Sequence, residues 1–155
     1  REWCNDEFSH GEAFALLMKT DPKLTEGKNV YWIKFFLTAV YATMYVRDHQ
    51  RPAFHEALGV DPTWYAHEVF TKTSELTKQI FPITLDIDHP RWQPTLDKLQ
   101  RANVDIANAK QRGGVGGKIA EMAASARAAA CFATLYAIPV KKHQRPASVR
   151  LEPVY

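Results

Sequence analysis

The sequence contains very little cysteine. Its two cysteines, Cys4 and Cys131, lie far apart and have neither the spacing of a zinc site nor that of a redox motif. This scarcity excludes a disulfide-stabilised scaffold and a cysteine-ligated metal centre. We expect both residues to be reduced thiols, buried on helices of a cytosolic protein.

Long apolar runs are also missing. The most apolar stretch, residues 30–46, falls just short of the roughly 18–20 residues that cross a bilayer, and Lys34 interrupts it. A central core helix is therefore the favoured interpretation of this stretch, and a membrane-spanning helix is the weaker alternative.

The chain also has little excess of one charge sign. The formal net charge is only +3, which gives no indication of a nucleic-acid partner. Residues 141–150, however, carry four basic residues and no acidic one. This segment is either a solvated tail or a surface that favours an anionic membrane or an acidic partner.

Helical periodicity prevails along the chain, and there is no alternating strand pattern and no internal repeat. Proline, glycine and capping residues delimit predicted helices over residues 3–18, 30–46, 62–80, 90–112 and 118–138. Asp61 and Asn29 are predicted helix caps, and the glycine-rich run 112–117 is predicted to be a flexible hinge. The sequence thus predicts one all-α domain without a β-sheet, in which residues 82–90 form an extended connector.

The most informative motif lies in the first predicted helix. One face of this helix carries an apolar stripe that also includes a carboxylate and an imidazole: Trp3, Glu7, His10, Phe14 and Leu17. Burying an ionised glutamate in such a stripe costs several kcal/mol unless it is paired or coordinated. Because a Glu-x-x-His pair on an inward helix face is a ligand unit of di-iron bundles, Glu7 and His10 are predicted metal ligands.

This motif supplies only part of a metal centre. A di-iron bundle takes a Glu from each of two helices and a Glu-x-x-His from each of two others, whereas this sequence contains a single Glu-x-x-His. The sequence also begins at Arg1, with no Met and no capping residue ahead of a helical pattern that is already running at Trp3. We therefore expect the C-terminal part of a longer protein. A less favoured hypothesis is a site shared between two copies, with Glu68 and Glu75 as further ligands.

Residues 47–55 change abruptly from apolar to charged and polar. The favoured interpretation is a cluster of ion pairs that caps the preceding helix. The functional alternative is that Arg47 and Arg51 anchor the carboxylate of a substrate or form a polar collar over the metal site. A metal site within residues 86–89 is disfavoured, because alternating side chains of an extended segment point to opposite faces.

Four segments carry a specific resemblance to known proteins: residues 5–14, 41–61, 80–88 and 151–155. In these segments, and in their order along the chain, the sequence closely resembles the aerobic magnesium-protoporphyrin IX monomethyl ester (oxidative) cyclase family. The resemblance is to the proteobacterial type more than to the plant type. It extends over essentially the whole chain and corresponds to the C-terminal half of the longer family members.

The resemblance implies the C-terminal portion of a ferritin-like di-iron helical bundle, with a helical extension at its C-terminus. The family motif Asp-Glu-x-Arg-His matches this sequence at Asp6, Glu7 and His10. Glu7 and His10 are thus implied iron ligands, and Asp6 is implied to orient a ligand histidine of a partner motif. Ser9 stands where the family usually has arginine, which puts a supporting ion pair in question.

The implied activity is the formation of the isocyclic ring of chlorophylls. Mg-protoporphyrin IX 13-monomethyl ester is oxidised to divinyl protochlorophyllide by O₂ at two iron ions, with electrons from NADPH delivered through a ferredoxin or a reductase. The aromatic residues between positions 31 and 45 suit a flat porphyrin, although a core role is the favoured interpretation of them. The competing hypothesis is a non-catalytic helical scaffold that binds partners.

The resemblance also implies partners, a location and a domain division. The implied partners are the electron donor, a small accessory cyclase subunit and, as an option, a second copy of the chain. The implied location is cytoplasmic and peripheral at the photosynthetic membrane. Residues 1–112 are expected to be the C-terminal part of the di-iron domain, and residues 113–155 an Ala-rich helix with a basic tail.

Overall fold

The structure, a computed structural model, describes the backbone of residues 2–146 and the side chains of residues 10–146. Helices predominate within these residues, which confirms the predicted all-α bundle. The α-helices are α1 (Glu2–Thr20), α2 (Asn29–His49), α3 (Pro52–Ala57), α4 (Pro62–Thr77), α5 (Trp92–Arg112) and α6 (Gly114–Ala137). A 3₁₀ turn covers Pro22–Leu24, and two short strands are β1 (Ile83–Leu85) and β2 (Val140–Lys142). None of the described helices is both long and apolar enough to cross a membrane.

Several helix boundaries follow local signals in the sequence. The Asp61 carboxylate accepts a hydrogen bond from the backbone N–H of Trp64 at 2.8 Å, and Pro62 begins α4, as predicted. The prediction for Asn29 is wrong. Its side chain donates to the carbonyl oxygen of Lys23 at 2.7 Å, so α2 begins without a side-chain cap.

The glycine run between α5 and α6 is a tight junction and not the flexible hinge that we expected. Gly113 ends α5 with a φ of +63°, and α6 begins at the next residue rather than at Lys118. A Cβ atom at Gly117 would lie 2.7 Å from the carbonyl oxygen of Ala109, so glycine is what allows the two helices to approach closely here. The domain division at residue 112 stays a prediction, although the helices on its two sides pack together.

The core lies around α2, which contacts α4, α5, α6 and β1. Tyr41 stacks on Phe70 with ring centroids 4.5 Å apart, and Trp92 packs edge-on against both rings at 6.4 Å. Full burial of one such side chain stabilises a fold by about 1.5–3 kcal/mol. Cys131 packs against this core as a free, half-buried thiol, whereas the side chain of Cys4 lies outside the described side chains.

A two-stranded sheet corrects the prediction that the chain has none. β1 and β2 pair antiparallel, with Ile83 opposite Lys142 and Leu85 opposite Val140. β1 lies within the predicted connector, but its partner is a three-residue strand in the segment that we interpreted as a basic tail. Such a short strand has too few residues for its alternation to be recognised in the sequence.

Part of the predicted basic tail is therefore bound to the domain. Besides its place in β2, Lys141 pairs with acidic residues of the connector, and Arg145 forms an ion pair with Glu26 at 3.0 Å. The choice between a solvated tail and a binding segment for residues 147–150 concerns residues outside the described part.

α1 and the first half of α2 leave an apolar surface uncovered within the described residues. Phe14, Leu17, Trp32 and Phe36 are each more than half exposed. The packing of α1 is mainly on the 3₁₀ turn, so no described element shields these side chains. An exposed apolar surface of this kind indicates an interaction site or a face that further protein covers.

Candidate metal and substrate sites

The predicted iron ligands lie on α1. Glu7 and His10 are one turn apart on this helix, but the side chains of Glu7, Asp6 and Ser9 are outside the described side chains. His10 is exposed, and so is Phe14 of the same stripe. We expected the stripe to face a core, whereas its described members His10, Phe14 and Leu17 are exposed. The iron ligands therefore stay a prediction.

Among the described residues, no three His, Cys, Asp or Glu side chains come together in a group that could hold a metal ion. The acidic residues of the connector bind a lysine instead, because Lys141 Nζ lies 2.9 Å from Asp86 Oδ1 and 2.9 Å from Asp88 Oδ2. The hydrogen bond from Lys141 lowers the pKa of Asp88, and the hydrogen bond to Asp86 raises the pKa of Lys141. Glu75, a ligand in the shared-site hypothesis, pairs with Lys78 at the surface.

The two candidate substrate anchors lie near the end of α2 but do not line the same cleft. Arg47 Nε is 3.6 Å from Asp48 Oδ1, and Arg47 lines a cleft of about 370 Å³ between α2, α5 and α6. Arg51 is exposed just before α3 and does not line this cleft. Neither the ion-pair interpretation nor the anchor interpretation is decided by this geometry, so the anchors stay a prediction.

A partly buried polar network joins α2, α4 and α5, and sequence reasoning missed it. The Tyr45 hydroxyl donates to Asp97 Oδ1 at 2.5 Å, and Gln93 Nε2 donates to the Tyr45 hydroxyl at 2.7 Å. The His49 ring packs on the Tyr45 ring at 3.9 Å, and its Nε2 is 3.0 Å from Thr63 Oγ1. Burial, with the hydrogen bond to Asp97 as the second cause, raises the pKa of Tyr45 to about 12.

The aromatic residues of α2 differ in exposure, and Phe35 is intermediate between the core residues and the exposed ones. Tyr41 and Tyr45 are in the core, as the favoured interpretation had it. In contrast, Tyr31, Trp32 and Phe36 are at least 60% exposed near the start of the helix, where they are available to a ligand or a partner.

Beside the exposed aromatic group lies a cleft of about 700 Å³ between the start of α2, the end of α6 and the sheet. We call it the Lys34 cleft. Its lining includes Val30, Tyr31, Lys34, Ile83, Tyr136 and Lys142. The Lys34 ammonium lies 4.8 Å from the centre of the Tyr136 ring, and burial lowers the pKa of Lys34. The Tyr136 hydroxyl donates to the carbonyl oxygen of Tyr31 at 3.3 Å.

Comparison with known proteins decides the family. The chain is 50% identical over 153 residues to the aerobic magnesium-protoporphyrin IX monomethyl ester [oxidative] cyclase of Rubrivivax gelatinosus, a match that covers 99% of this chain. The chain belongs to this cyclase family. The cyclases of Synechococcus elongatus and Pyropia yezoensis are 44% and 43% identical to it over 106 and 110 residues, each match covering 68% of this chain.

Membership of the cyclase family confirms the resemblance that the sequence carries. The chain spans only part of its relatives, namely 43% of the Rubrivivax cyclase, 30% of the Synechococcus cyclase and 32% of the Pyropia cyclase. No family model and no solved structure matches the chain. The name of the family describes an oxidative enzyme, and the non-catalytic scaffold is accordingly not favoured.

Proposed function

We propose that this chain is part of an oxidative cyclase that converts Mg-protoporphyrin IX 13-monomethyl ester to divinyl protochlorophyllide. The reaction closes the fifth ring with O₂ and with electrons that originate from NADPH. The observation that carries the proposal is the 50% identity over 99% of the chain to a cyclase of that name. Because the chain spans 43% of that relative, the activity is proposed for the whole protein.

The proposal assigns Glu7 and His10 to a di-iron centre, with Asp6 as the residue that orients another ligand. Their one-turn spacing on α1 supports the assignment. Two protein ligands are too few to hold a pair of iron ions. The described side chains provide no metal-binding group of their own, so the proposal requires further ligands from outside them.

The partners and the location belong to the proposal as well. An electron-donor protein, which is a ferredoxin or a reductase, and a small accessory subunit are the proposed protein partners, with a second copy of the chain as an option. The uncovered apolar surface of α1 and α2 supports contact with further protein. The same surface, together with the basic residues Lys142 and Arg150 of the C-terminal segment, supports a peripheral position at the photosynthetic membrane.

The assignment can be tested by activity and iron content of the intact protein that contains these residues. We expect Glu7→Gln and His10→Asn to lose at least about 100-fold in formation of divinyl protochlorophyllide, an effect of about 2.7 kcal/mol or more, together with most of the bound iron. Glu12→Gln on the exposed surface of α1 is the matched control and should retain both. Wild-type turnover in the Glu7 and His10 variants would contradict the ligand assignment, and an intact wild-type protein without turnover would contradict the function.

A further inference from the structure

The Lys34 cleft has the dimensions and walls of a small-molecule site. Its volume of about 700 Å³ falls within the ~300–1,000 Å³ of ligand pockets. Tyr31 and Tyr136 provide aromatic surface, and Val30 and Ile83 provide aliphatic surface. The part of the lining that Ile83 contributes is fixed, because Ile83 is buried and belongs to the β1–β2 ladder. A flat, largely apolar molecule fits such walls best.

Lys34 gives the cleft a positive charge that the described residues leave without a carboxylate partner. Its ammonium lies over the Tyr136 ring, and desolvation alone accounts for its lowered pKa. A ring face compensates a partly buried cation less well than an anion does. The arrangement therefore favours a ligand that brings a negative charge to this position.

The two lysines of β2 differ in whether a carboxylate neutralises them. Successive side chains of a strand point to opposite faces. Lys141 accordingly faces Asp86 and Asp88, which neutralise it, while Lys142 lines the cleft. The cleft thus has one half-buried cation, Lys34, and one exposed cation, Lys142, at its rim.

We propose that the Lys34 cleft binds a flat macrocycle through its free carboxylate, which pairs with the Lys34 ammonium while the rings pack on Tyr31 and Tyr136. The choice of macrocycle rests on the proposed function. A protoporphyrin has two propionate groups, so its monomethyl ester keeps one free carboxylate for Lys34 and presents one neutral ester.

The cleft beside Arg47 is the weaker candidate for this carboxylate. Its volume of about 370 Å³ is roughly half that of the Lys34 cleft, and Arg47 already has Asp48 as a partner at 3.6 Å. A carboxylate there would have to displace an existing ion pair, whereas the Lys34 ammonium is available.

The test is a fluorescence titration of the intact protein with two porphyrins that differ in one charge, Mg-protoporphyrin IX monomethyl ester and Mg-protoporphyrin IX dimethyl ester. We expect Lys34→Met to weaken binding of the monomethyl ester roughly tenfold or more, and to leave the affinity for the dimethyl ester unchanged. Lys34→Arg should retain most of the wild-type affinity for the monomethyl ester. Lys118→Met, at the opposite end of α6 from Tyr136, is the control and should bind both porphyrins as the wild type does.

Lys34→Met removes a partly desolvated charge, so its melting temperature should be equal to or above that of the wild type. Lys142→Met alters only an exposed residue and should weaken the monomethyl ester about two- to threefold. Equal affinity of wild type and Lys34→Met for the monomethyl ester overturns the cleft assignment and leaves porphyrin binding, and with it the proposed function, intact. If the wild type binds neither porphyrin, the cleft assignment is also wrong. The proposed function is then tested separately by the assay for formation of divinyl protochlorophyllide.

Discussion

Tyr45 connects α2 to α5 through its hydroxyl group, and the His49 ring that packs on it extends the connection to α4. Its oxygen donates to Asp97 and accepts from Gln93, both on α5, while His49 on its ring reaches Thr63 of α4. The residues that form the network are up to 52 positions apart in sequence. Nothing in the local pattern of α2 distinguishes Tyr45 from the other aromatic residues there, so the network could not be predicted before the helices were placed together.

At this scale, we expect Tyr45→Phe to lower the free energy of unfolding by about 1–3 kcal/mol, because Asp97 and Gln93 lose a partner in a partly buried site. Urea denaturation measures the change. Tyr31→Phe, which removes a hydroxyl from a largely exposed ring, is the control and should change the stability by less than about 0.5 kcal/mol. Equal stability of Tyr45→Phe and the wild type would show that the hydroxyl network contributes nothing net.

The same residue predicts a dependence on alkaline pH. The pKa of Tyr45 is raised to about 12 in the fold, whereas an unperturbed tyrosine has a pKa of about 10, so the folded state holds the proton more tightly. The resulting stabilisation is complete below about pH 10 and is lost as the pH rises toward about 12. The stability difference between wild type and Tyr45→Phe should therefore shrink over this interval in denaturation curves. A difference that stays constant would mean that the proton is held no more tightly in the fold.

At the scale of elements, predictability depended on how local the signal is. Asp61 and Pro62 determine the start of α4 through bonds within one turn, and both were predicted. The β2 strand depends on pairing with β1, which is distant in sequence, and the close approach at Gly117 depends on how α5 and α6 pack against each other; neither was predicted. For the site, the Glu-x-x-His motif in α1 is local and recognisable, but whether Glu7 and His10 meet further ligands depends on protein outside the described side chains.

The α5–α6 junction offers a matched pair of glycines. Alanine usually stabilises a helix interior relative to glycine by about 1 kcal/mol. We expect Gly116→Ala to be neutral or stabilising by up to about that amount, because its Cβ would meet nothing within 4 Å. Gly117→Ala should instead destabilise by about 1–3 kcal/mol, since its Cβ would lie 2.7 Å from the backbone oxygen of Ala109. Urea denaturation of both variants decides this, and equal effects would contradict the close-contact explanation.

At the scale of the whole molecule, the described residues form a helical domain with an uncovered apolar surface, and Glu7 and His10 are one proposed pair of iron ligands. We expect the isolated 155 residues to hold fewer than two irons per chain and to lack the absorption of an oxo-bridged di-iron centre. The intact protein, in contrast, should hold a pair. Metal analysis together with the intact mass measures this. Two tightly held irons in the isolated chain would contradict the view that other residues complete the centre.

The β1–β2 ladder joins the two outer ends of the α5–α6 hairpin, while Gly113 connects the inner ends. Residues 83–142 therefore form a closed loop in which neither helix can open without breaking the ladder or the helix contact. In a hydrogen-exchange experiment, the amides of α5 and α6 should consequently become accessible together, as one cooperative unit. The amides of α1, which packs mainly on a single 3₁₀ turn, should exchange long before them.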